Sequence, residues 1–362
     1  MTLSHSGYGN TLRSATEKAV SFRTQLKGTL SDFLAKEQMH CLTMEEGLLE
    51  LVVALSNYTE EGRHLYPQVI LCEELDEALR MLQCSDPLFV GKGPRDKATM
   101  TEALKRCAPL ALDGWIVYLQ QFGDHIEYGV LRNGYSPTAL SIRDTMQNLA
   151  GQPGSPRIII VTQLADKAVE LLGTCSGTLR VYFSSTPDDA PSPVNAINDL
   201  TISCCSDVPT GQRDQLQSFV KAALATALHY SHGVLIAVMP QGGDLNLVTS
   251  DGVILTSPIS LSKKVEDYAK NPNDINLASL TAYRNLFMGM LSCDGAVITD
   301  SRCMLLGYNL FINTGGSGSK GNVQRGGARR RAYTKLKHLV NKKVIESCFM
   351  QSSDGGTEFY TR

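Results

Sequence analysis

The chain has 362 residues, of which 43% are hydrophobic and 19% are charged, and its formal net charge is −2. These values exclude bulk disorder and an overall basic protein, so any affinity for nucleic acid has to come from a local basic patch. Because the length exceeds that of one typical core, we expect two domains. No apolar run is long enough to cross a bilayer, and residues 1–14 lack a signal-peptide pattern, which predicts a cytoplasmic protein without membrane contact.

Ten cysteines are scattered along the chain without a CxxC spacing, and the seven histidines form no zinc-ligand pattern with them. We therefore interpret the cysteines as buried reduced thiols. Cys204-Cys205 is the one vicinal pair. Neither a structural zinc site nor a disulfide scaffold is indicated by this composition.

Residues 1–14 are polar and predict a flexible arm. Residues 15–205 mix helical and strand periodicities, which indicates an N-terminal α/β accessory domain. Helices are predicted at Ala15–Lys36, from a Thr43 cap onward, and at Leu75–Leu82, Ala98–Leu112 and Ala165–Leu172. Strands are predicted at Val69–Cys72, Asp113–Leu119, His125–Leu131, Arg157–Thr162 and Thr178–Ser184. This half of the chain carries no nucleotide-binding fingerprint.

A polar segment and a new helical period place the domain boundary at residue 205, so that residues 206–362 form the second domain. Its first helix carries apolar residues three and four apart from Leu216 to Leu228. Further helices are predicted at Leu277–Leu291 and Arg329–Asn341, and another is predicted to end at Lys270. Strands are predicted at Gly233–Met239, Gly252–Leu255, Ala296–Ile298, Met304–Ile312, Val344–Met350 and Thr357–Thr361. These elements predict an α/β (α+β) fold with a mixed sheet flanked by helices, preceded by a separate mixed α/β domain.

The most informative stretch of the second domain is Leu291–Ala332. An isolated acid, Asp294, precedes a short strand, a Gly/Ser-rich loop follows, and three arginines stand at the predicted start of a helix. A carboxylate can hold a divalent metal ion, while arginines and helix N–H groups can hold phosphates. The stretch therefore predicts a nucleotide site. Lys320 in the loop lacks the Gly-Lys-Ser/Thr order of a Walker A motif, which excludes that type of site.

Each part of this pattern also has a purely structural interpretation. Asp294 and Asp354 each precede a glycine, so either could be a turn residue. The basic run Arg325–Arg331, extended by the lysines of the following helix, could form a solvated helix face or bind RNA or DNA. Few aromatic residues are interleaved with it, so base stacking is not indicated. On charge alone these alternatives stay open.

The order of elements over residues 212–362 resembles the diadenylate cyclase (DAC) domain. A long helix is followed by a Gly-initiated strand, and a later helix leads into the Asp-Gly-Ala motif at Asp294–Ala296. A strand, a loop and a basic motif at Gly327–Ala332 come next, and a Ser-Asp-Gly turn at Ser353–Gly355 precedes the last strand. The order agrees with that of the family, and the N-terminal half is not covered by the resemblance.

The resemblance implies a role for each matched residue. Asp294 would bind Mg²⁺ or Mn²⁺ near the attacking ribose hydroxyl, and Gly295 and Ala296 would let the nucleotide approach the backbone. The motif that binds phosphates in the family corresponds here to Gly327, Ala328, Arg329, Arg330 and Arg331. Asp354 stands where the family usually has an acid. The family makes cyclic di-AMP from two ATP molecules at facing sites, which implies a homo-oligomer.

Two positions depart from the family's Gly-Thr-Arg-His-Arg-Ala motif. Ala328 replaces the threonine and Arg330 replaces the histidine, so a hydroxyl and a titratable ring are lost while a permanent cation is gained. Phosphate binding should survive these changes because guanidinium groups pair well with phosphate oxygens. Loss of one placed donor can slow turnover by about 10²–10³.

We therefore expect a DAC-like nucleotide-binding sensor or regulator that recognises ATP or a (cyclic) di- or oligonucleotide, in bacterial signalling or anti-phage defence. A separate effector protein could act with it. Two alternatives stay open. One is an active diadenylate cyclase that converts two ATP to cyclic di-AMP with Mg²⁺ or Mn²⁺, and the other is a nucleic-acid-binding scaffold that uses the basic helix face.

Overall fold

The computed structural model describes residues 21–112, 114–134, 141–165, 167–183, 193–231, 233–312, 327–352 and 356–362. Within these ranges the chain forms ten α-helices and two large mixed sheets, so the predicted α/β fold class is confirmed. No helix in the described ranges is both long and apolar enough to cross a membrane.

The helices are α1 (Phe22–Lys36), α2 (Leu42–Leu55), α3 (Leu75–Leu82), α4 (Lys97–Cys107), α5 (Ile142–Leu149), α6 (Pro193–Cys204), α7 (Thr210–Tyr230), α8 (Leu261–Lys270), α9 (Asp274–Leu291) and α10 (Ala328–Asn341). The strands are β1 (Thr59–Glu60), β2 (Arg63–His64), β3 (Val69–Cys72), β4 (Cys84–Pro94), β5 (Trp115–Gln121), β6 (His125–Asn133), β7 (Ile158–Ala165), β8 (Ala168–Gly173), β9 (Gly177–Tyr182), β10 (Val234–Met239), β11 (Thr249–Ser260), β12 (Ala296–Asp300), β13 (Met304–Ile312), β14 (Ser347–Gln351) and β15 (Thr357–Thr361). Short 3₁₀ helices lie at Ala108–Leu110 and Leu245–Leu247.

The first sheet has seven strands in the order β4-β6-β5-β3-β7-β8-β9, and β3 and β5 are its parallel pair. One face packs against α1, α2 and α4, and the other packs against α3 and α5. Along β3, Val69 and Leu71 face the first set of helices, and Ile70 and Cys72 face the second. Because both faces are covered, an uninterrupted apolar run forms this central strand.

The second sheet has six strands in the order β11-β13-β12-β10-β14-β15, with β10 parallel to β12 at its centre. α6, α7, α8 and α9 cover one face, and α10 covers the other. The strand β10 again alternates between two cores. Ile236 and Val238 face the four helices, while Leu235, Ala237 and Met239 face α10. The result is a three-layer unit in which α10 is the single α-helix on its side of the sheet within the described residues.

The predicted helix at Ala165–Leu172 is wrong, because β7 ends and β8 begins inside this range. Both faces of this part of the sheet are covered, so Val169 and Leu171 pack into one core and Leu172 into the other. Apolar residues on both faces imitate the spacing of a buried helix.

The predicted Thr43 cap is also wrong. The helix α2 begins at Leu42, and the preceding Cys41 makes no side-chain cap hydrogen bond. Thr43 instead lies within the first turn, 3.2 Å from Cys41 Sγ through its hydroxyl oxygen. The strand β4 and the helices α5 and α6 are not among the predicted elements.

The helix α6 precedes the predicted boundary at residue 205, yet it packs with the second sheet. Ala196, Leu200 and Cys204 are buried in the core formed with α7. Ser203 Oγ lies 2.6 Å from Ser347 Oγ on β14. The structural unit around the second sheet therefore includes α6. All ten cysteines fall in the described ranges and are free, and six of them are buried while four are half-buried.

The two sheet-containing units meet along α7. Lys221 Nζ on α7 lies 2.5 Å from Asp144 Oδ1 on α5. Near the end of α7, the ring of His229 stacks on that of Tyr66, with centroids 4.8 Å apart and planes 18° apart. Burial lowers the pKa of His229 to about 4. The imidazole is therefore neutral at pH 7 and packs as an uncharged aromatic ring.

Candidate functional site

A cavity of about 690 Å³ opens at one edge of the second sheet, beside the first turn of α10. At this edge the starts of β10 and β12 meet the ends of β13 and β14, because the latter two strands run antiparallel to the former. Residues far apart in the sequence therefore border one space. They are Leu235, Asp294, Gly295, Leu310, Phe311, Ile312, Gly327, Ala328, Arg329, Arg330, Ala332, Met350 and Ser352.

Asp294 reaches the cavity from the turn between α9 and β12. Gly295 in that turn has a φ of +83°. A Cβ on it would lie 2.8 Å from the carbonyl carbon of Asn309 and 2.9 Å from the nitrogen of Leu310, closer than real Cβ atoms come to backbone. Glycine is therefore required here both by conformation and by space. The turn leaves Asp294 exposed at the cavity while the strand that follows is buried.

The first turn of α10 brings positive charge to the cavity. Gly327 precedes the helix without a side-chain cap, and no acid stands in the first turn. The first turn instead carries Arg329, Arg330 and Arg331. Each cation near a helix N-terminus destabilises the helix by about 0.3–1 kcal/mol through its interaction with the helix dipole. Local sequence thus disfavours this helix start, and burial of residues such as Leu336 holds α10 on the sheet.

The guanidinium of Arg329 lies against the turn between α7 and β10. Gly233 in that turn has a φ of +113°. A Cβ on it would lie 2.4 Å from Arg329 Nη1 and 2.7 Å from the carbonyl oxygen of Gln351. Close approach of the arginine and the left-handed backbone both require glycine at this position. Arg329 is half-buried, so its charge sits at the wall of the cavity rather than in open solvent.

Arg330 borders the mouth of the cavity and forms an ion pair with β15. Its Nη2 lies 2.9 Å from Glu358 Oε1, with 58% of the arginine side chain and 33% of the glutamate side chain exposed. In the β14–β15 ladder Glu358 is opposite Met350, which lines the cavity. The carboxylate is therefore part of the surroundings of the cavity even though it does not line it.

Part of the wall of the cavity is apolar. Leu235, Leu310, Ile312 and Met350 belong to the core packed under α10 and also line the cavity. The cavity thus combines a charged rim with an uncharged interior.

The structure brings six of the nine predicted site residues to this cavity. They are Asp294, Gly295, Gly327, Ala328, Arg329 and Arg330. Ala296 is buried in the core beneath α10, and Arg331 is exposed farther along the helix, so neither is among the described lining residues. Asp354 lies outside the described residues.

Sequence reasoning missed the apolar wall and the partner of Arg330. Leu235, Met350 and Glu358 lie on strands that the sequence predicts, but the pattern of one strand does not say which strands are its neighbours. One signal was available. Gly233 and Gly295 each stand directly before a buried strand, which is typical of a backbone that something approaches closely.

A divalent cation in this cavity would depend on the ligand. Asp294 is the single carboxylate among the described residues that line the cavity. In the described part of the chain no group of three or more His, Cys, Asp or Glu is arranged to hold a metal ion. Mg²⁺ at nucleotide sites is usually held by one or two carboxylates together with phosphate oxygens and water. The residues present fit that mode, with Asp294 as the protein ligand, and do not fit a metal centre built from protein alone.

The fold and the cavity together define an α/β protein with two mixed sheets and a half-charged, half-apolar cleft at the edge of the second sheet. Comparisons of the chain with models of known protein families, with curated proteins and with solved structures found no match. The resemblance to the DAC domain therefore rests on the motifs and on the order of the elements between them.

Proposed function

We propose that the protein is a nucleotide-binding sensor or regulator whose cavity recognises ATP or a cyclic or linear di- or oligonucleotide. The observation that carries the proposal is the meeting of Asp294-Gly295 with Gly327–Arg330 in one cavity, although β12 and β13 lie between these segments in the sequence. The volume lies within the range of about 300–1,000 Å³ that is usual for sites of small molecules.

The division of the cavity into two chemical halves supports a nucleotide in particular. The guanidinium groups of Arg329 and Arg330 suit phosphate oxygens, which they can bind through paired N–H donors. The wall that contains Leu235, Leu310 and Met350 suits an uncharged base or the apolar face of a sugar. A simple inorganic anion would leave that wall unused.

The conflict at the start of α10 supports an anionic ligand. Arginines in an uncapped first turn oppose the helix dipole and bring like charges together. Real proteins break such local rules mainly at functional or strained sites. A phosphate at this point would accept hydrogen bonds from the first N–H groups of the helix and neutralise the arginines.

A binding role is supported over a catalytic one by the two altered motif positions. Ala328 offers no hydroxyl at the cavity, and Arg330 is engaged by Glu358. Among the described residues that line the cavity, none is a histidine or a lysine, so Asp294 is the one candidate for moving a proton.

An active diadenylate cyclase is the second candidate, because the carboxylate of Asp294 lies at the cavity that the arginines share. Mg²⁺ or Mn²⁺ bound with the nucleotide would supply positive charge to the phosphates. Two such cavities would have to face each other, which requires a homo-oligomer.

The wider setting that we propose is bacterial signalling or anti-phage defence in the cytoplasm, with a separate effector protein reading the bound state. Its support is the order of motifs in the second half of the chain. A nucleic-acid scaffold has less support, because Lys337 of the basic helix lies over the rings of Tyr333 and Tyr360.

The test combines equilibrium binding with product analysis. Isothermal titration with ATP and with cyclic di-AMP, in the presence and absence of Mg²⁺, measures affinity, and mass spectrometry of the mixtures detects turnover. Binding without a product supports the sensor. Cyclic di-AMP that disappears in Asp294→Ala supports the cyclase. Steep salt-dependent binding of RNA or DNA by a protein that binds neither nucleotide would contradict both.

A further inference from the structure

We propose that Glu358 is a specificity-determining residue of this cavity, which selects ligands of low charge, such as dinucleotides joined by phosphodiesters, over nucleoside triphosphates. The proposal rests on the nucleotide-binding function and adds the class of ligand and the residue that sets it. It starts from the ion pair between Glu358 and Arg330 at the mouth of the cavity.

The position of the carboxylate is fixed by the sheet. Glu358 is paired with Met350 in the antiparallel β14–β15 ladder, so its side chain lies on the same face as that of Met350, toward α10. Two residues farther along β15, Tyr360 Oη donates to Asn341 Oδ1 at 2.9 Å, and Lys337 Nζ lies 4.8 Å from the centre of the tyrosine ring. Glu358 and Tyr360 therefore connect β15 to the first turn and to the last residue of α10.

Glu358 reduces the net positive charge beside the cavity. Among the described residues that line the cavity, Arg329 and Arg330 are cationic and Asp294 is anionic. The carboxylate of Glu358, 2.9 Å from Arg330, adds a second negative charge. A phosphodiester brings a single negative charge, whereas a triphosphate tail brings several close together. With Arg330 partly neutralised by Glu358, the cavity accepts the first at less electrostatic cost than the second.

A phosphate that reaches Arg330 has to share its guanidinium with Glu358. A carboxylate so close to phosphate oxygens repels them, and the repulsion grows with the charge on the ligand. Because both side chains are partly exposed, solvent screens this repulsion, and the effect is one of selectivity rather than of exclusion.

The experiment measures affinities for ATP and cyclic di-AMP by titration, without divalent cations, in wild type, Glu358→Gln, Arg330→Gln and the double variant. We expect Glu358→Gln to tighten ATP binding by about five-fold and cyclic di-AMP binding by about two-fold or less. It should also steepen the dependence of ATP affinity on salt. In the Arg330→Gln background, removing the carboxylate should change the ratio of the two affinities far less.

The matched control is Glu266→Gln, which removes the carboxylate of an exposed ion pair with Lys270 on α8 and should leave both affinities unchanged. Thermal unfolding of each variant checks that the fold is intact. Equal changes for the two ligands, or no change, in Glu358→Gln would overturn this proposal while the nucleotide site stands. A wild-type protein that binds neither ligand would overturn the proposed function itself, and this proposal with it.

Discussion

Gly295 determines both the conformation of the turn before β12 and the position of Asp294 at the cavity. Its positive φ turns the chain from α9 into β12, and its missing side chain lets the turn rest on the backbone at Asn309 and Leu310. The same turn places Asp294 at the cavity. The fold therefore requires the glycine of the Asp-Gly-Ala motif whether or not a ligand is bound.

Gly295→Ala should lower the free energy of unfolding by about 2 kcal/mol or more, because a left-handed conformation is unfavourable for alanine and its Cβ would collide with backbone. Chemical denaturation measures the change. Gly289→Ala, on α9 with open space around its Cβ, is the matched control and should stabilise the protein by about 0.5–1 kcal/mol. Equal stability of Gly295→Ala and wild type would show that the turn has a different conformation.

At the scale of elements, the cavity depends on how the ends of one helix and two strands are held together. The end of α7, the start of β10 and the end of β14 meet at Gln351, whose Nε2 donates to the carbonyl oxygen of Leu228 at 3.1 Å in a buried position. The carbonyl oxygen of Gln351 itself borders Gly233, against which Arg329 packs. Gln351 therefore stands between the helix that reaches the first unit and the arginine at the cavity.

Gln351→Leu should lower the free energy of unfolding by about 1–2 kcal/mol, because the carbonyl at the end of α7 loses its buried donor. It should also weaken nucleotide binding by about five-fold, since the support behind Arg329 loosens.

The control for this change is Gln163→Leu. Gln163 Nε2 donates to the carbonyl oxygen of Ser56 at 3.1 Å, also in a buried position, but in the first sheet. Both variants should lose similar stability, as measured by urea denaturation. Unaltered affinity in Gln351→Leu, measured by titration, would show that this contact does not position the arginine.

Several elements have the bounds that the sequence predicts, among them β3, α3, β13 and β15. Each is a dense apolar or alternating run between polar residues, so local pattern and tertiary environment agree. The strand β4 escaped prediction because it is an exposed edge strand with two prolines and two glycines, and its pairing with β6 creates it. Tertiary pairing overrides weak local preference in such cases.

The same distinction applies to the cavity. The presence of Asp294, Arg329 and Arg330 in one site was predictable, because carboxylate, glycine and guanidinium groups in short motifs indicate their chemistry. Glu358 and the apolar wall were not, because their place depends on strand order and register in the second sheet. Glu358 looks like any alternating polar residue until β15 is placed beside β14.

At the scale of the whole molecule, the two sheet-containing units meet through α7. The stacked pair of Tyr66 and His229 lies at this junction, and the imidazole makes hydrogen bonds to the backbone of Gln163 and Leu164 on β7. The pKa of His229 in the folded protein, about 4, is below its ordinary value of 6.5 because burial disfavours the cation.

This shift predicts a stability that depends on pH. Since the folded state binds the proton less tightly than the unfolded state, the stabilisation is fully present above pH 6.5 and is lost as the pH falls toward 4. The free energy of unfolding should drop by about 2–3 kcal/mol across this window from His229 alone. Urea denaturation at several pH values in wild type and His229→Phe, which keeps an aromatic ring on Tyr66, measures the contribution.

His229→Phe should flatten the profile between pH 6.5 and 4. The control His338→Phe, at an exposed position on α10, should leave the profile as it is in wild type. Parallel pH profiles for wild type and His229→Phe would mean that the imidazole is solvated rather than packed at the junction.

The central claim is that Arg329, at the wall of the cavity, holds the phosphate of a nucleotide. Titration of ATP and cyclic di-AMP into wild type, Arg329→Ala and Arg302→Ala tests it most directly. Arg302 is exposed on the turn between β12 and β13, at the opposite edge of the sheet, and serves as the charge-matched control. We predict saturable binding of at least one nucleotide to wild type and Arg302→Ala, weakened by about ten-fold or more in Arg329→Ala. Absence of saturable binding to wild type, or equal loss in both variants, would contradict the account.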